Sequence, residues 1–131
     1  MKISYALVGD EICAAILSGD VSELQELLDN LDDTDARYRR HGTPLQAAVT
    51  KGDEEMTRLL LRYGANPSKS GGRYGNPLIA ATVGSRKSIT RLLLKHRADM
   101  FATDKQHVNA LYQAVGHGDW AVTEMLLEAG A

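Results

Sequence analysis

The chain repeats itself every 33 residues, and that period limits the folds open to it more than any other feature. At this step fall Asp10, Thr43, Asn76 and Asn109, whose side chains can each accept a hydrogen bond from the free N–H groups that open a helix, so each reads as an N-cap. Pro44 and Pro77 follow two of them, where a missing N–H costs nothing and a fixed φ suits the first helical turn. Ile12, Leu45, Leu78 and Leu111 keep the same step, as do Ala15, Ala48, Ala81 and Ala114. A short helix with a small-residue face therefore recurs. Gly19, Gly52, Ser85 and Gly118 then break the helix and let the chain reverse. A second helix carries the pairs Leu27-Leu28, Leu60-Leu61, Leu93-Leu94 and Leu126-Leu127, and in the later copies it ends near Gly64-Ala65, Arg97-Ala98 and Gly130-Ala131. The spacing predicts an all-α chain of four helix pairs. No pair can bury its apolar stripe alone, so stacking on neighbours is what orders it.

The two ends differ from the middle. Glu23 and Glu26 stand where the next copy has Met56 and Leu59, so the first copy reads as a water-facing cap. The last copy keeps Val122, Met125, Leu126 and Leu127, an interior pattern, up to Gly130-Ala131. The expectation is that apolar surface there is covered by further chain or by another molecule, self-association included. In the third copy Arg86 replaces the aspartate found at Asp20, Asp53 and Asp119, and Ser85 or Ser88 is expected to cap the helix that follows.

Charge is segregated along the chain. Residues 1–35 hold nine acids and one base, whereas residues 36–106 hold 14 bases and five acids, although the formal net charge is only −2. The segments between helix pairs, such as Asp32 to Gly42 and Pro67 to Gly75, are too polar for core and read as projecting turns. Cys13 is the only cysteine, which excludes an intrachain disulfide and a cysteine-based zinc site. No stretch has the length and apolarity of a membrane span or a secretory leader, so the expected setting is intracellular, cytoplasmic or nuclear.

Thr43-Pro44-Leu45-Gln46-Ala47-Ala48, Gly52-Asp53, Leu59-Leu60-Leu61 and Gly64-Ala65-Asn66 closely resemble the ankyrin consensus, with Gln46 where that family usually has histidine. Asn76-Pro77-Leu78-Ile79-Ala80-Ala81 and Asn109-Ala110-Leu111-Tyr112-Gln113-Ala114 resemble weaker copies, and residues 10–31 an N-terminal capping repeat. Gly71-Gly72-Arg73-Tyr74-Gly75-Asn76 is similar to a turn variant of long fungal ankyrin arrays, which often adjoin a nucleotide-binding signalling domain. The resemblance implies a right-handed α-solenoid, one ankyrin-repeat domain over 1–131 with repeats near 4–36, 37–69, 70–102 and 103–131. It also implies a non-catalytic scaffold that binds a partner protein along a concave face of turn tips and first helices. The alternative is a sensor or spacer segment of a larger signalling or effector protein whose enzymatic activity lies elsewhere.

No phosphate-cradling loop, nucleophile elbow or paired-histidine zinc motif occurs in the sequence. His41, His96, His107 and His117 are spread over different copies, which argues against a metal site, and no cofactor is expected. Cys13 lies on an apolar helix face and reads as core filler. Trp120 either packs under the preceding turn or faces outward as an interface anchor. Arg39, Arg40, Arg73 and Lys105 lie in successive turns. By the resemblance they share one groove with Thr50, Lys51, Tyr74, Val83, Gln106 and His117. Such a row of cations either attracts an acidic protein partner or serves only as a solubilising surface. A pI near 6.1 and few aromatic residues argue against nucleic acid.

Overall fold

The computed structural model describes residues 5–30, 34, 42–71 and 74–131; for residues 5–10 only the course of the backbone is described. Among the described residues there are eight helices: α1 (Tyr5–Ser18), α2 (Val21–Asp29), α3 (Pro44–Lys51), α4 (Glu54–Arg62), α5 (Pro77–Val83), α6 (Lys87–Lys95), α7 (Ala110–Gly116) and α8 (Trp120–Glu128). They form four antiparallel pairs. α1, α3, α5 and α7 pack side by side in one row, and α2, α4, α6 and α8 in a second row behind it.

Local chemistry sets the boundaries. The side chains of Thr43, Asn76 and Asn109 accept hydrogen bonds from the backbone N–H groups of Gln46, Ile79 and Tyr112 at 3.2, 2.9 and 2.9 Å, as expected of N-caps. Asp10 is a correction. It lies within α1, which begins at Tyr5, because the upstream run Tyr5-Ala6-Leu7-Val8 continues the helix and no proline marks a start at residue 11. Asp20, Asp53 and Asp119 cap the second helices through the N–H groups of Glu23, Met56 and Val122 at 3.0, 3.0 and 3.2 Å.

The third pair lacks that cap. Its N-cap position is Arg86, which makes no side-chain cap hydrogen bond, so neither Ser85 nor Ser88 caps α6 as expected. Ser85 instead takes the left-handed conformation, φ 52°, that Gly19, Gly52 and Gly118 adopt at the same step. It performs the reversal without the freedom of glycine.

Leu60, Leu93 and Leu126 are fully buried on one continuous seam, and Leu27 is half-buried against it. Behind the seam, Leu24 of α2 is replaced in the later pairs by Thr57, Thr90 and Thr123. Their hydroxyls donate to the carbonyls of Asp53, Arg86 and Asp119 at 2.7, 2.8 and 2.7 Å, which satisfies a buried polar group inside the helix. Cys13 is half-buried and packs against the core, in line with its reading as filler.

Hydrogen bonds also tie each pair to the next. Lys51 Nζ donates to the carbonyls of Ile16 and Leu17 at 2.6 and 2.9 Å, closing the C-terminus of α1 from the following pair. The Arg86 guanidinium covers Gly52, where an added Cβ would meet Cζ at 2.5 Å, and lies 3.5 Å from the carbonyls of Thr50 and Lys51. Tyr63, at the end of α4, donates its hydroxyl to Asp29 of α2. Gln46 donates to the Gly71 carbonyl in the next turn at 2.5 Å.

Candidate interaction groove

Two turns follow one another along the stack. Gly71 N–H donates to Gly75 O at 2.7 Å in the first, and Asp104 N–H to Val108 O at 3.0 Å in the second. Asp104 Oδ1 also accepts from the N–H groups of Gln106 and Val108 at 2.8 and 3.0 Å, which fixes the direction of the second turn. The turns lie against each other. At Gly75, φ 88°, an added Cβ would stand 2.8 Å from Asp104 Cβ, so both backbone conformation and space require glycine.

A cavity of about 790 Å³ opens between these turns and the first helices α5 and α7. Tyr74, Ile79 and Val83 give it an apolar wall, and Asp104, Lys105, Gln106, Gln113 and His117 a polar one. The His117 Nδ1 is 2.8 Å from the carbonyl of Gln113, one turn earlier on α7, so the imidazole orientation is set locally.

The expected partner-binding residues divide into three groups. Tyr74, Val83, Lys105, Gln106 and His117 are brought together around this cavity. Thr50 and Lys51 lie one pair away at the C-terminus of α3, where the Lys51 ammonium is held on α1 and the Thr50 carbonyl lies within reach of Arg86. Arg39, Arg40 and Arg73 lie outside the described residues, as does His41.

Sequence reasoning missed Asp104 and Gln113. The signal for Gln113 was present: it stands where Ala47 and Ala80 occupy the earlier first helices, and its longer side chain reaches the cavity from the position four residues before His117. Trp120 faces outward, 70% exposed.

Among the described residues no group of histidine, cysteine, aspartate and glutamate could hold a metal ion, and no helix is long and apolar enough to cross a membrane. The arrangement offers shape, hydrogen-bonding side chains and one lysine cation beside an apolar wall.

Comparison with known proteins gives the same architecture from a different direction. The family model for ankyrin repeats, in three copies, matches residues 12–104. The chain is 38% identical over 69 residues to the ankyrin repeat, SAM and basic leucine zipper domain-containing protein 1 of Eulemur macaco macaco, an alignment covering 50% of this chain and 14% of that protein. The protein of the same name from Saimiri boliviensis boliviensis is 45% identical over 53 residues, covering 40% of this chain and 11% of its own length. The match thus spans about a seventh or less of these curated relatives. Ankyrin repeats are in general protein–protein interaction modules, and the family is typically non-catalytic. With eight helices in four stacked pairs, the 33-residue step and the match over residues 12–104, the chain belongs to the ankyrin repeat family.

Proposed function

We propose that this chain is a non-catalytic scaffold that holds a segment of a partner protein in the groove between its turns and first helices. The observation that carries the reading is the cavity of about 790 Å³, around which Tyr74, Val83, Lys105, Gln106 and His117 converge from two turns and two helices. An apolar wall of Tyr74, Ile79 and Val83 suits a buried anchor side chain, and the polar wall suits the backbone and flanking groups of an extended segment. The excess of bases over residues 36–106 would favour an acidic segment, by speeding encounter more than by strengthening the final contact. An intracellular setting and one domain over 1–131 are part of the same reading.

Selection of a random-peptide phage library on the immobilised chain tests it. Enriched peptides should combine an apolar residue with aspartate or glutamate. They should lose at least about tenfold in affinity for the variant Val83→Glu with Lys105→Glu, since each is the size of change expected when a groove contact of about 1.4 kcal/mol is removed. Charge reversal at Arg39, Arg40 and Arg73 should weaken the same peptides and flatten their salt dependence. Peptides that bind wild type and both variants equally would place recognition elsewhere, as expected of a pure spacer.

A further inference from the structure

The exposure of equivalent positions tells which way each side chain faces in the stack. Positions that are buried in the first three pairs and exposed in the last face the following neighbour. Ile16, Val49, Thr82 and Val115 behave so, the first three fully buried and Val115 49% exposed. So do Leu28, Leu61, Leu94 and Leu127, the last 54% exposed, and Ile79 with Tyr112, 1% against 69%. Positions exposed in the first pair and buried in the next face the preceding neighbour: Glu23 and Glu26 are exposed, whereas Met56, Ile89 and Val122 and also Leu59 and Leu92 are buried.

The two ends of the stack therefore differ in chemistry. The α7–α8 end presents Tyr112, Val115 and Leu127, with Trp120 two turns before Leu127 on the same stripe of α8. None of these is charged. Glu124 and Glu128 correspond to Arg91, Lys95, Arg58 and Arg62, exposed throughout, and so point away from the stacking direction. The opposite end presents two carboxylates.

We propose that the α7–α8 face docks a second copy of this chain through the same face, making a closed two-fold dimer. The amount of surface fits. Two aromatic side chains of about 150–250 Å² each, more than two-thirds exposed, together with half-exposed Val115 and Leu127, amount to roughly 400–500 Å² of apolar area. A standard interface buries about 800 Å² per partner, a little over half of it apolar. Head-to-tail stacking, the only other way to cover the face with this chain, would press Glu23 and Glu26 of one copy against Val115 and Leu127 of the next. Two carboxylates would lose their water without a counter-charge. The contact thus closes on itself and does not propagate. It is independent of the groove, because Tyr112, Val115, Trp120 and Leu127 are not among the cavity-lining residues.

Sedimentation velocity and light scattering of the full chain, from micromolar to submillimolar concentration, should show a concentration-dependent shift from the 14.3 kDa monomer to twice that mass and no further. Val115→Glu with Leu127→Glu should weaken the dimer by at least roughly 30-fold, as for loss of an interface hot spot, while the helical circular dichroism and melting stay those of the wild type. Glu23→Met with Glu26→Leu, which copies the residues of the second pair, should add a head-to-tail contact and carry the mass beyond the dimer. A wild type that stays monomeric at every concentration would overturn the proposal and leave the face to a helix pair of another molecule. A dimer that survives Val115→Glu with Leu127→Glu would overturn it also. If the Glu23 and Glu26 variant stays dimeric, these carboxylates are not what blocks stacking.

Discussion

Replacing Gln46 with alanine removes two connections at once, one within the second pair and one between it and the next turn. Its Oε1 accepts from the backbone N–H of Thr43 at 2.9 Å, completing the reciprocal capping box of α3, and its Nε2 donates to the Gly71 carbonyl. Thr43 and Gln46 are both buried, so water does not take over freely at the Thr43 N–H. Leaving that donor unsatisfied costs about 1–3 kcal/mol, and loss of the Gly71 bond about 1 kcal/mol. The two lost methylenes add about 1.6 kcal/mol at about 0.8 kcal/mol each. Against this, about 1.5 kcal/mol of side-chain entropy is regained and alanine's helix propensity returns a few tenths. The expected net destabilisation is about 2–4 kcal/mol, a large part of the stability of a chain this size. Urea denaturation followed by circular dichroism measures it, with two controls. Gln46→His should stay within about 1 kcal/mol of wild type, because one ring nitrogen can accept from Thr43 while the other donates to Gly71. Gln46→Glu keeps the acceptor and loses the donor, and should fall between. An alanine variant within about 0.5 kcal/mol of wild type would refute the account of Gln46 as a clamp between pairs.

Three further outcomes follow from particular contacts. Ser85→Gly should stabilise the chain by about 0.5–1 kcal/mol in thermal or urea melts, because the residue already sits at φ 52° and glycine holds that conformation without strain. Lys51→Met should destabilise by about 1–2 kcal/mol, since it strips a cation and two hydrogen bonds from the end of α1 while keeping the aliphatic stem. Tyr63 has its phenol held above its usual pKa of 10.0, chiefly by the hydrogen bond to Asp29, with burial and the Asp29 charge acting the same way. The folded chain therefore holds that proton more tightly than the unfolded one, so this contribution is complete below the ordinary phenol pKa and is lost as pH rises through the folded value. Tyr63→Phe should remove that alkaline loss, as read from urea midpoints across the pH range.

The pairs of helices were legible because their signals are local: a cap, a proline or glycine, and leucines at helical spacing. The seam through Leu60, Leu93 and Leu126 and the polar outer face at Glu23 and Glu26 followed from the repeat itself. Asp10 misled because the repeat suggested a boundary that the apolar residues before it override, extending α1 back to Tyr5. Arg86 was read only as a missing aspartate. Its actual contact depends on where a long flexible side chain ends, 34 residues back at Gly52, and spacing along the chain does not reveal that. The groove was half legible for the same reason. Turn and helix positions are fixed by the period, so Tyr74, Val83, Lys105, Gln106 and His117 could be grouped, but the reach of Gln113 and the inward Asp104 depend on how two turns abut.

The bond from Lys51 to the end of α1 gives the molecule a direction in time. As the chain leaves the ribosome, the first two helices are complete by residue 30, yet the carbonyls of Ile16 and Leu17 are left to water until Lys51 has been made. The next step repeats the debt, with the end of α3 waiting for Arg86. Each newly synthesised module thus locks its predecessor, and synthesis from the amino end runs in the same order as closure.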